Sequence, residues 1–147
     1  MIFESQVVDA VARKLSDEGW EVLSTVVGQR KGDDIVARKE NKEIRVEAKG
    51  ESSENPTSSR YNLPFDRSQV SVHVAKAFFK SAATQQKENC ISGIALPDNQ
   101  NHRDFMGQIS QAIGILQIWV FWISPNLSVK IECANQSRVA TPLARHL

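Results

Sequence analysis

The segment Gly32-Asp33-Asp34-Ile35-Val36-Ala37-Arg38-Lys39-Glu40-Asn41-Lys42-Glu43-Ile44-Arg45-Val46-Glu47-Ala48-Lys49 holds two runs rich in β-branched residues, Asp34 to Arg38 and Glu43 to Lys49. The polar Lys39-Glu40-Asn41-Lys42 between them predicts a β-hairpin. With the turn at Glu40-Asn41, Arg38 faces Glu43, Val36 faces Arg45 and Asp34 faces Glu47. Directly opposed residues carry Cβ atoms about 4.5–5.5 Å apart, so the two carboxylates become neighbours. Lys49 shares their face by the two-residue period of a strand. Ile35, Ala37, Ile44, Val46 and Ala48 fall on the other face, which makes one side packing surface and leaves the acid pair and the lysine on the opposite side. The turn lacks the Asn-Gly pair that pins a two-residue loop. A slip by one residue, which would carry Asp34 to the other face, therefore stays open.

Working outward, Phe3, Val7, Val8, Val11, Ala12 and Leu15 recur at helical spacing from Ile2 to Glu18, and Gly19 supplies a stop. Trp20 to Val27 reads as a strand, ended by the basic turn Gly28-Gln29-Arg30-Lys31-Gly32. After the hairpin, Gly50 to Pro64 is a Ser-rich loop interrupted by Pro56, of a length that is usually either functional or disordered. Helical periodicity returns from Arg67 to about Gln86, and Ile91 to Leu96 is a short apolar strand closed by Pro97. A third helix is expected over His102 to Gln117, with Phe105, Ile109, Ile113 and Leu116 inward and His102 at the surface. Ile118 to Ile123 reads as a strand covered on both faces, with Trp119 and Trp122 as core residues, and Leu127 to Cys133 as an edge strand. The order α-β-β-β-α-β-α-β-β predicts an α/β fold of three layers, α/β/α, around a central mixed sheet. One domain over residues 1–134 with a tail at 135–147 is expected.

The chain has 147 residues and a formal charge of +1, so bulk electrostatics do not argue for a polyanionic partner and any basic footprint must be local. Cys90 and Cys133 stand far apart with no His or Cys at zinc-ligand spacing, which excludes a zinc site or disulfide scaffold by pattern and predicts two buried, reduced thiols. Met1 to Gln6 does not resemble a signal peptide, and the apolar run Ile113 to Ile123 is shorter than the roughly 20 residues a membrane span needs. A cytoplasmic location without a membrane partner is the expectation.

Two adjacent carboxylates repel unless a cation lies between them, and oxygen-only ligands suit Mg²⁺ or Mn²⁺. A neighbouring lysine can orient attacking water and offset the charge that grows on a phosphate. On the first helix, Glu4 shares the inward stripe of Val8, Val11 and Leu15 and is a candidate second carboxylate. Gly32-Asp33-Asp34-Ile35-Val36, followed after twelve intervening residues by Glu47-Ala48-Lys49, resembles the PD-(D/E)XK nuclease superfamily. That group includes restriction endonucleases and Holliday-junction resolvases. The resemblance spans the first helix through the second and implies a restriction endonuclease-like fold. It implies a metal site of Asp34, Glu47 and Glu4, with Lys49 completing the catalytic set. Asp33 stands where the motif has proline, which leaves two aspartates to choose between; the apolar Ile35-Val36 favour Asp34.

The resulting expectation is a Mg²⁺- or Mn²⁺-dependent nuclease acting on nucleic acid, most simply an endonuclease on DNA, with a homodimer as the form suited to a double-strand cut. Gln69, His73, Lys76 and Lys80 fall on one polar, basic stripe of the second helix. Gln69, His73 and Lys76 are candidate nucleic-acid contacts, with Arg60 and Tyr61 of the preceding loop as groups able to grip backbone or a splayed base. Two other readings fit the same residues: a catalytically silent nucleic-acid-binding or interaction module, and a hydrolase of small phosphoesters.

Overall fold

A computed structural model describes residues 1–28 and 32–133, and the turn at 29–31 and the expected tail lie outside that range. Ten elements follow in order: α1 (Glu4–Asp17), β1 (Glu21–Thr25), β2 (Ile35–Lys39), β3 (Lys42–Ala48), α2 (Arg67–Glu88), β4 (Ile91–Pro97), α3 (Gln100–Gln108), α4 (Ser110–Leu116), β5 (Trp119–Ile123) and β6 (Val129–Glu132). The strands form one six-stranded sheet in the order β1-β2-β3-β4-β5-β6. β1, β2 and β3 are antiparallel, β4 and β5 run parallel to β3, and β6 returns antiparallel. Among the described residues no helix is long and apolar enough to cross a membrane.

Register in the hairpin follows the two-residue turn. Arg38 pairs with Glu43, Val36 with Arg45 and Ile35 with Val46, while Glu40 takes a positive φ of 56° at the turn. The slip by one residue does not occur, because it would expose Ile35, Ala37, Ile44 and Val46, all buried here. That face packs under α1, whose Val7, Val8, Val11 and Leu15 join Ala95, Phe121 and Ile123 in one core cluster. Each such side chain contributes about 1.5–3 kcal/mol on burial, which is why a 14-residue helix with no side-chain cap at Phe3 holds its place.

The opposite face carries a second cluster. Val70, Val74 and Ala77 of α2, Met106 and Ile113 of α3 and α4, and Ile94, Leu96, Val120 and Trp122 of the sheet meet there. Trp119 joins the α1 side and meets Trp20 edge to face at 6.0 Å between centroids.

Three expectations need correcting. The helix expected over His102 to Gln117 is two helices, broken at Ile109 (φ −119°, ψ 15°), where the weak helix formers Gly107 and Ser110 flank the break. His102 is not at the surface: Asn99 caps α3 and starts it earlier, which turns His102 inward to complete burial. The thiols are free, but Cys90 is only half-buried and Cys133 is exposed at the end of β6.

Candidate active site

Asp34 lies one residue before β2 and Glu47 one residue from the end of β3, so both carboxylates meet at one end of the hairpin face turned toward α2. Their exposures are only 6% and 9%. Asp34 Oδ2 accepts the Ala48 backbone N–H at 2.8 Å, and the Asp34 carboxyl lies within the field of Glu47. Two buried carboxyl groups in this contact cannot both ionise cheaply. Burial first, then the Glu47 and Glu4 charges, drive the Asp34 pKa up to about 7 against the pull of the Ala48 N–H.

The two aspartates differ in their partners. Asp33 is spent on Arg45, whose Nη1 donates to its Oδ2 at 2.7 Å while Nε donates to Glu43 at 2.8 Å. Asp34 is the buried one, aimed at Glu47.

Lys49 follows β3 and brings its Nζ to 3.6 Å from Glu47 Oε1. A second lysine, singled out by its stripe but not as a site residue, is closer still: Lys80 Nζ lies 2.6 Å from Glu47 Oε2 and donates to the Gly32 carbonyl at 3.2 Å. The signal for it was helical position. α2 runs back along β3, so that Glu88 meets Arg45 at 3.8 Å, Lys80 meets Glu47, and His73 lies within the field of Lys49.

Glu4 reaches the same neighbourhood from α1. Gly50 makes this approach possible, since a Cβ there would sit 2.5 Å from the Glu4 backbone nitrogen and 2.9 Å from the Phe3 carbonyl carbon. Burial raises the pKa of Glu4; the Gly28 N–H and Lys49 oppose that, while Glu47 and Glu54 add to it. The three-carboxylate cation site that the motif implied is not assembled. Among the described residues no three Asp, Glu, His or Cys side chains stand at metal-ligating spacing. Glu4 is held by the Gly28 N–H and one oxygen of Glu47 by Lys80.

Of the expected nucleic-acid contacts, His73 lies within the field of Lys49 and Lys76. Lys76 is exposed, and His73 is half-buried with its ring edge-on to Phe65 at 4.6 Å between centroids. Gln69 does a different job: its Oε1 accepts the Asp66 N–H at 2.8 Å while Asp66 Oδ1 accepts the Gln69 N–H at 2.9 Å, a reciprocal cap on α2. Arg60 is tied to Asp66 at 3.1 Å. Tyr61 is exposed, in a loop stitched by bridges from Ser52 to Phe3 and Pro64 and from Ser53 to Tyr61.

Comparison with protein-family models, with curated proteins and with solved structures gave no match to this chain.

Proposed function

We propose that this chain is a metal-dependent nuclease of the PD-(D/E)XK type, hydrolysing phosphodiester bonds in DNA. The observation that carries the reading is the buried pair of Asp34 and Glu47 at one end of the hairpin, with Lys49 Nζ 3.6 Å from Glu47. An acid pair at this depth is costly to the metal-free fold, and a cation between the two relieves the cost. The donor set fits Mg²⁺ or Mn²⁺, because such ions are commonly held by one or two carboxylates and complete their shell with water and phosphate oxygens. A third protein carboxylate is not required, and Glu4 then acts through its charge. The antiparallel start of the sheet, the parallel β4 and the helices on both faces agree with a restriction endonuclease-like core.

When bound, the ion supplies Lewis-acid activation of water and phosphate. Asp34 and Glu47 hold it, and the Ala48 N–H orients Asp34. Lys49 offsets the negative charge that grows on the scissile phosphate. Lys76, exposed on α2, and Arg60 of the preceding loop are cationic and suit phosphate contacts that set register along a strand.

The test is cleavage of single-stranded, duplex and branched DNA by purified protein in Mg²⁺ or Mn²⁺. Cleavage abolished by chelator and by Lys49→Ala is the expected result; intact substrates beside a working nuclease control overturn the reading. One observation favours a second reading, a catalytically silent nucleic-acid-binding module: Lys80 already serves Glu47 as an internal counter-ion. Salt-sensitive DNA binding that ignores chelator, without cleavage, identifies that case.

A further inference from the structure

Phe79 is 74% exposed, the most exposed large apolar side chain among the described residues. Its position on α2 explains this. Val70, Val74, Ala77 and Ser81 are the buried residues of that helix. At about 3.6 residues per turn, Phe79 lies on the opposite side, in line with Val72 seven residues earlier. Val72 is half exposed, and Ala75 and Ala83 beside that line are exposed as well. Alanine is the better helix former, so neither core packing nor helix stability accounts for an aromatic ring at position 79.

The same helix is cationic almost throughout. Arg67, Lys76, Lys80 and Lys87 stand against one acid, Glu88, at its last residue. Arg67 is paired with Asp104 at 2.8 Å and Lys80 with Glu47 at 2.6 Å. Among the described residues Lys76 and Lys87 have no carboxylate partner. Lys76 lies three residues before Phe79 and four before Lys80, the two spacings that make neighbours on a helix, with Cβ atoms about 5–6 Å apart. It therefore connects the exposed ring to the lysine that touches Glu47. A second copy of this chain, packed on this face, would bring the cations of both copies together with no acid between them. An anionic lipid surface needs a broader apolar face than Val72 and Phe79 supply. A single strand of nucleic acid presents phosphates and unpaired bases side by side, which matches free cations beside an exposed ring. A duplex keeps its bases stacked on one another and leaves the ring without a partner.

We propose that the outer face of α2 binds single-stranded DNA, with Phe79 stacked on an unpaired base and Lys76 on a neighbouring phosphate, and that the strand continues past Lys80 to Asp34 and Glu47. That continuation rests on the nuclease reading, and it names the substrate class: DNA with unpaired bases beside the cut, in preference to intact duplex. Phe79 and Lys76 are binding residues and take no part in the chemical step.

The primary test needs no activity: fluorescence anisotropy of a dye-labelled oligo-dT strand, and of a duplex of the same length, with the full chain in EDTA. The single strand is expected to bind more tightly. Phe79→Ala should weaken it by about 5- to 150-fold, the loss of one base–aromatic stack, with thermal unfolding unchanged because the ring is in solvent. Phe79→Trp should keep the affinity, and the added indole emission should be quenched by the strand. Lys76→Ala should lower the slope of log affinity against log salt by about 0.7, the share of one phosphate on a single strand. Equal affinity of Phe79→Ala and the unmodified protein for the strand, or tighter binding of the duplex, overturns the proposal. So does a dimer in sedimentation, or binding to phosphatidylserine vesicles, that Phe79→Ala abolishes. Cleavage in Mn²⁺ is read separately. Protein that binds the strand through Phe79 and cuts nothing overturns the nuclease reading and leaves this face as a single-strand binder. Protein that cuts DNA, with Phe79→Ala binding and cutting single strands as well as its parent, overturns this inference alone.

Discussion

Asp34→Asn is expected to stabilise the metal-free protein. An asparagine there still accepts the Ala48 N–H through its oxygen, so that hydrogen bond survives while the repulsion goes. The folded protein raises the Asp34 pKa from 3.8 to about 7, so the native state holds a proton that the unfolded chain has released. Stability then falls as pH rises through that window and levels off above about 7, where both states are ionised. At about 1.4 kcal/mol for each tenfold change in proton affinity, the ceiling on the effect is about 4 kcal/mol. With a urea dependence of about 1–3 kcal/mol per molar, Asp34→Asn should raise the unfolding midpoint at pH 8.5 in EDTA, with a ceiling of about 1–4 M. Near pH 4 the two proteins should nearly coincide. Comparing the pair at each pH cancels the titration of groups that do not interact with Asp34. Adding Mg²⁺ at pH 8.5 should close the gap by stabilising the unmodified protein alone, by about 2.7 kcal/mol at a hundredfold excess over Kd. A variant less stable than the parent at pH 8.5, or a difference that does not change with pH, would refute the claim that Asp34 is an acid held at a cost.

Lys80→Met removes the ammonium that sits on Glu47, and titration calorimetry should show Mn²⁺ binding about tenfold tighter, equivalent to about 1.4 kcal/mol; unchanged or weaker binding would mean that lysine and ion do not compete. Gly50→Ala forces a Cβ into the backbone of Phe3 and Glu4, so thermal unfolding should report a loss of about 1–3 kcal/mol, with metal affinity falling as Glu4 is displaced; a change under about 0.5 kcal/mol would count against that contact. Asn99→Ala should cost about 1 kcal/mol by loss of the α3 cap alone, measured by denaturant unfolding, and a neutral result would show that the cap and its bond to Glu51 do little.

What could be read from the residues was what local period and cross-strand geometry control. Alternation of Ile35, Ala37, Ile44 and Val46 with charged neighbours sets the hairpin register, and the register alone puts Asp34 beside Glu47. The Val7, Val8, Val11 and Leu15 stripe places α1 over that hairpin. Other features depend on which way a long or amphipathic side chain turns once helices dock, and period does not report that. Lys80 looked like part of a wet helix face, but α2 lies along β3 closely enough for its stem to reach Glu47. Gln69 lies on the same stripe, and its reciprocal cap with Asp66 is a role that period does not report. His102 looked exposed because the helix was started too late, and the Asn99 cap that moves the start also buries the ring. The break at Ile109 has only weak local formers to announce it.

The central claim is that Asp34 and Glu47 share a divalent cation beside Lys49. A crystal grown with saturating Mn²⁺ and measured for anomalous scattering tests it directly. The expected result is a single peak about 2.1 Å from a carboxylate oxygen of each residue, with Lys80 Nζ drawn away from Glu47. A map with no peak there, and with Lys80 Nζ still on Glu47, would contradict it.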